Sequence, residues 1–182
     1  MSLTKVVLIG VSSPLSLCIL CIDWLFLKQA SGSTGSIILN SLLATPSLQV
    51  TALTRQGSTS KLPLHANLKI VQIPYDLPSL TEAFKGQDAV ISAVGAAGLG
   101  DQNIFVDAAI QAGVKRFLPS EFSVNTLSKA VQQLLPPFVA KFQLLEYLKS
   151  KEGTGLTWTG LGAGLLFDWV RYPPLIIGAL EW

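Results

Sequence analysis

Three glycines, two basic residues and a short acidic loop carry the chemistry legible in this chain. Gly10 ends the apolar run "KVVLIG", and Gly32 and Gly35 sit in "ASGSTGSIILNSLL". Without residues 11–29, these pieces join as a strand, then G-x-x-G-x-x-G, then a helix. Such a loop has a physical logic. The first glycine permits a tight turn, the second lets backbone approach a pyrophosphate, and the third lets helix and strand pack closely. The helix that follows offers N–H groups and a positive dipole end to phosphate. Gly10, Gly32, Ser33, Thr34 and Gly35 are therefore the candidate phosphate-binding residues. A second strand, "LQVTALT", leads to Arg55. An acidic residue at that place binds a ribose 2′-hydroxyl, so an arginine there points to a 2′-phosphate and to NADPH. The competing reading of Arg55 is a solvated loop arginine.

Other reactive side chains carry less. His65 is the only histidine and lies in a polar loop. With two cysteines as well, the chain lacks the ligands of most zinc sites and the pairs of a disulfide framework, so no metal is expected. Cys18 and Cys21 form C-x-x-C without a second ligand pair. Asp107 and Asp168 read as capping or solvated residues. Glu121 could serve as an acid–base group, but a carboxylate at a strand end more often accepts backbone hydrogen bonds.

The elements that must position these residues alternate. Strands are expected at 5–10, 48–54, 68–74, 88–95, 114–119 and 156–161. Helices are expected at 36–44, 79–86, 102–113 and 138–151, the second capped by Ser79 and the third closed by Gly113. Near-continuous apolar strands between helices argue a parallel sheet covered on both faces. The expected fold class is α/β, a doubly wound Rossmann sheet of order 3-2-1-4-5-6, with ligands at the carboxyl ends of the strands. Residues 1–160 would form this domain. At 182 residues the chain suits one domain, and its net charge of +2 gives no sign of a nucleic-acid partner.

Residues 11–29 interrupt the glycine loop with "VSSPLSLCILCIDWLFLKQ". Three readings compete. A signal or membrane anchor would have to follow a formed strand, carries Asp23, and falls short of the ~20 apolar residues a span needs. A genuine insertion could adapt the site. A retained intron is preferred, because its removal restores the motif. In that case the segment should displace Gly10 from Gly32. No membrane association is expected, and the location expected is the cytoplasm.

Several stretches resemble the NmrA-like family, and within it the isoflavone reductase-like proteins, which are atypical short-chain dehydrogenases. They are "GASGSTG" once rejoined, "VTALTR", "DAVISAVG", "FVDAAIQAGVKRFLPSEF" and "LLEYLKSKEGTGLTWTGLGAGLLFDW". The last is similar to fungal members. The resemblance implies an NADPH-binding domain, with Pro119-Ser120-Glu121-Phe122 lining the nicotinamide end of the cleft. It implies a catalytic lysine on the next helix, in a K-x-x-[LIV] context that Lys141 matches, and a second basic contact to the 2′-phosphate at Lys61. Phe122 joins the cofactor residues on the same ground. Position 123 is serine where the family has glycine.

A lysine beside a cofactor cleft can have its pKa lowered by desolvation and then exchange protons near neutrality. The structural alternative for Lys141 is a side chain snorkelling from a helix edge. Tyr147 and Lys151 have Tyr-x-x-x-Lys spacing, but at the far end of that helix, so the match reads as coincidental. The implied activity is hydride transfer from NADPH to a small conjugated or carbonyl compound. The alternatives are a dinucleotide-sensing regulator without turnover, or an inactive product of a faulty gene model. Family members are longer than this chain, so 161–182 reads as the start of a truncated substrate-binding part, with assembly into a homo-oligomer left open.

Overall fold

The computed structural model describes residues 4–10, 34–58, 62–135 and 138–164. Six strands form one parallel sheet: β1 Lys5–Ile9, β2 Gln49–Arg55, β3 Leu68–Ile73, β4 Ala89–Ser92, β5 Arg116–Leu118 and β6 Thr157–Trp158. Their order is β3-β2-β1-β4-β5-β6. The register pairs Val6 with Val50 and with Ala89, so β1 sits at the centre. The helices are α1 over 34–43, α2 Leu77–Phe84, α3 Gln102–Gln111, α4 Lys129–Leu134 and α5 Val139–Ser150.

The central strands β1 and β4 are apolar on both faces because both faces are covered there, whereas β3 at the sheet edge is partly exposed. Val7 and Ile9 of β1 point into a core shared with Phe84 of α2, Phe105 of α3 and Leu148 of α5. Val6 and Leu8, one residue out of phase, point into a second core with Leu39 of α1. All four β1 residues are buried, which is the physical content of the unbroken run "VVLI".

Three details depart from the sequence expectation. The cap of α2 is Asp76, not Ser79. The Asp76 carboxylate accepts the Ser79 N–H at 2.8 Å, and Pro78 occupies the first turn, where its missing N–H costs nothing. β6 is two residues long, where a strand over 156–161 is expected. Its partner β5 ends at Leu118, and Pro119 has no N–H to continue a ladder. Two short elements lack a clear sequence signal: the 3₁₀ turn Ala96–Asp101 and α4. Gly113 closes α3 at φ 76°, as expected.

Asp88, just before β4, joins two strands at their start. One carboxylate oxygen accepts the N–H groups of Thr4 and Lys5 at 2.9 and 3.0 Å. Those two backbone bonds hold its carboxyl below the usual carboxylate range.

Candidate active site

The carboxyl ends of β1, β2, β4 and β5 converge where the strand order reverses, between β1 and β4. Gly10 leaves β1 there at φ 89°. A Cβ at this position would lie 2.7 Å from the carbonyl carbon and oxygen of Ala93 and 2.8 Å from the nitrogen of Val94. Only glycine fits, both for its conformation and for its contact with the chain leaving β4. The helix α1 begins at position 34, with Gly35 buried in its first turn. Gly32, Ser33 and Lys61 lie outside the described residues, as do segment 11–29 with Cys18 and Cys21, and Asp168.

Arg55 ends β2, with its side chain 59% exposed. Its Nη2 donates to the Asp101 carboxylate at 2.9 Å, and its guanidinium lies 5.1 Å from the centre of the Tyr75 ring. Burial pushes the Tyr75 hydroxyl up to about 12, against the pull of Arg55. Neither Asp101 nor Tyr75 stands out in the sequence, since each comes to Arg55 from a separate connection.

The loop after β5 is held from several sides. Ser120 N–H donates to Gln102 Oε1 at 3.0 Å, and its hydroxyl donates to the Val94 carbonyl at 2.8 Å. These bonds tie the loop to the start of α3 and to the end of β4. Phe122 has φ 22°, the one non-glycine residue at positive φ among those described. Strain of that kind concentrates in loops that the surroundings hold in place. Glu121 is buried. Its carboxyl accepts from the Thr126 hydroxyl at 2.6 Å rather than from backbone N–H groups, and its other oxygen has no partner. Burial raises its pKa, with the Thr126 bond and the Lys141 charge opposing.

Lys141, in the first turn of α5, reaches this loop. It is buried, at 9% exposure, so it is not a snorkelling side chain. Its Nζ donates to the Glu121 carbonyl at 2.5 Å and to Ser123 Oγ at 2.9 Å. The Phe138 ring centre lies 5.3 Å from it. Burial lowers the amine from 10.5 to about 8, with Glu121 pulling the other way. The first turn of a helix disfavours a cation as well. An amine at that value exchanges a proton near neutrality.

Other side chains turn away from this site. Tyr147 donates to Asp107 at 2.7 Å, and Lys151 pairs with Asp107 at 3.3 Å. Asp107 thus ties α3 to α5 instead of merely being solvated, and Tyr147 is spent on that bond. His65 is exposed, its Nδ1 accepting from the Asn67 N–H. Among the described residues no group of three His, Cys, Asp or Glu could hold a metal ion, and no helix is long and apolar enough to cross a membrane.

A family model described as NAD(P)H-binding matches residues 30–176. The chain belongs to this NAD(P)H-binding family. It is 39% identical over 136 residues to the oxidoreductase aprR of Aspergillus flavus, covering 74% of this chain and 46% of that protein. It is 52% identical over 52 residues to an isoflavone reductase homologue of Zea mays, covering 28% of this chain and 17% of that protein. A solved structure of AtPrR2 with NADP+ and (+)pinoresinol superposes with a TM-score of 0.62 at 22% identity, over 89% of this chain and 50% of that one. The chain spans about half the length of aprR. The NAD(P)H-binding domain fits the residues present: a glycine whose Cβ would strike backbone at the end of β1, and a cation at the end of β2.

Proposed function

We propose that this chain is the dinucleotide-binding part of an NADPH-dependent reductase acting on a small conjugated or carbonyl-bearing compound, with residues 161–182 beginning its substrate-binding part. The observation that carries the reading is Lys141. A buried amine lowered to about 8 and aimed at the loop after β5 is suited to move a proton beside the reacting carbon. When bound, the nicotinamide supplies the hydride. Gly10 and the start of α1 receive the pyrophosphate. Arg55 exchanges its Asp101 partner for the 2′-phosphate, a charge-assisted contact that NADH cannot make. The Glu121 carbonyl and Ser123 hold the Lys141 ammonium in place, where it gives its proton to the substrate or steadies negative charge on the substrate oxygen.

The test is substitution at Lys141 in the protein that carries this domain. Lys141→Ala should lower turnover by about 10²–10⁴-fold, the span for a lost general acid, with little change in NADPH affinity. Lys141→Arg should not restore it, because arginine keeps its proton at working pH. Near-normal turnover in both variants would remove Lys141 from the chemistry and favour a dinucleotide sensor.

A further inference from the structure

We propose that Ser123 is a positioning and proton-relay residue for Lys141, connecting the buried amine to solvent. Position 123 follows Phe122, where the chain turns at positive φ. Ser123 is half-buried, whereas Lys141 is buried. Its Oγ is 2.9 Å from Lys141 Nζ. The place of Ser123 is set by its backbone, since its carbonyl accepts the Gly164 N–H at 3.1 Å. The loop is closed further on by the bond from Thr126 to Glu121. The backbone that carries the hydroxyl is therefore held by bonds that do not involve Lys141, in a residue partly open to solvent.

A hydroxyl is suited to this place because it can both accept and donate. It accepts from the ammonium form. Once Lys141 has lost a proton, the O–H turns and donates to the amine lone pair. The relay step then balances. The Ser123 proton passes to Nζ and remakes the ammonium, while Oγ takes a proton from solvent water or hydronium. Serine is unchanged, and one proton has moved from solvent to Lys141. The Glu121 carbonyl cannot do this, having no proton to give. The Glu121 carboxyl is the one titratable group whose charge bears on Lys141 among those described; one of its oxygens accepts from Thr126, and neither is hydrogen-bonded to Lys141.

The inference rests on the proton-handling reading of Lys141, but its test needs no turnover. The 182-residue chain, labelled at its lysine side chains, is titrated by NMR as wild type, Ser123→Ala, Ser123→Gly and Ser123→Thr, and exchange of the Lys141 Nζ protons with solvent is measured. Loss of a hydrogen bond to a charged group should lower the Lys141 midpoint by about one unit in the alanine and glycine variants, with slower exchange. Ser123→Thr, which keeps the hydroxyl, should behave as wild type. Unchanged midpoint and exchange in folded Ser123→Ala and Ser123→Gly would overturn the proposal. So would a threonine variant that matches alanine. Failure of the Lys141 reading shows instead as turnover surviving Lys141→Ala, so the two are distinguishable.

Discussion

Lys141 Nζ and the main-chain carbonyl of Glu121 are 2.5 Å apart, which locks the first turn of α5 to the loop after β5. The two residues are distant in sequence, and one of them contributes only backbone. The amine is thus held at the carboxyl end of the sheet by backbone. The same arrangement withdraws it from water and sets its acidity.

That acidity has a consequence for folding. Lys141 falls from 10.5 to about 8 on burial. Between these values the unfolded chain binds more protons than the folded one, so stability should rise with pH across about 8 to 10.5. Lys141→Met should abolish that rise and be no less stable than wild type at neutral pH. Denaturant unfolding at several pH values reads both. A wild-type stability that falls across the window would contradict the burial assigned to the amine.

Gly10→Ala should damage both folding and dinucleotide binding. The added Cβ would meet Ala93 backbone at 2.7 Å in a conformation that L residues rarely adopt. Strain at such positions costs on the order of 1–3 kcal/mol before the clash is counted. Thermal unfolding and NADPH titration of the variant check this, and wild-type values in both would show that the β1 turn is not built as described.

Arg55→Ala should weaken NADPH binding by about 1.5–3 kcal/mol, the range for a hydrogen bond to a charged group, with little change for NADH. Calorimetry with both cofactors is the measurement. Equal losses would refute the 2′-phosphate role.

Asp101→Asn should act in the opposite direction. The Arg55–Asp101 pair is exposed on both sides, at 59% and 47%, and exposed pairs contribute about 0–1 kcal/mol. Releasing Arg55 should therefore strengthen NADPH binding by no more than about fivefold and leave NADH nearly unchanged. A loss of NADPH affinity would mean that Asp101 orients Arg55 for the phosphate instead of competing with it.

The sheet was legible because its central strands are buried on both faces, which leaves the unbroken runs "VVLI" and "AVIS". Its order follows from the alternation of strand and helix. Gly10 was legible because strand geometry and a turn demand meet in one residue. Asp101 and Tyr75 were not, since their value lies in reaching Arg55 from separate loops, and no local pattern encodes that meeting. Ser123 shows as a departure from the family's glycine, but its contact with Lys141 is set by packing of α5. Asp76 carries no clear cap signal in the sequence because Ser79 precedes the more helical composition, whereas Pro78 in the first turn moves the start forward.

The pH dependence of kcat is the most direct test of the central claim, that the Lys141 ammonium serves the reduction. Oxidation of NADPH with saturating substrate is followed from neutral to alkaline pH in the protein that carries this domain. With the amine at about 8, kcat should be level below that value and fall about tenfold per pH unit above it, as the ammonium titrates away. The residual rate of Lys141→Ala should show no such break. A wild-type profile that stays flat through this range, or a break that persists in Lys141→Ala, would contradict the account.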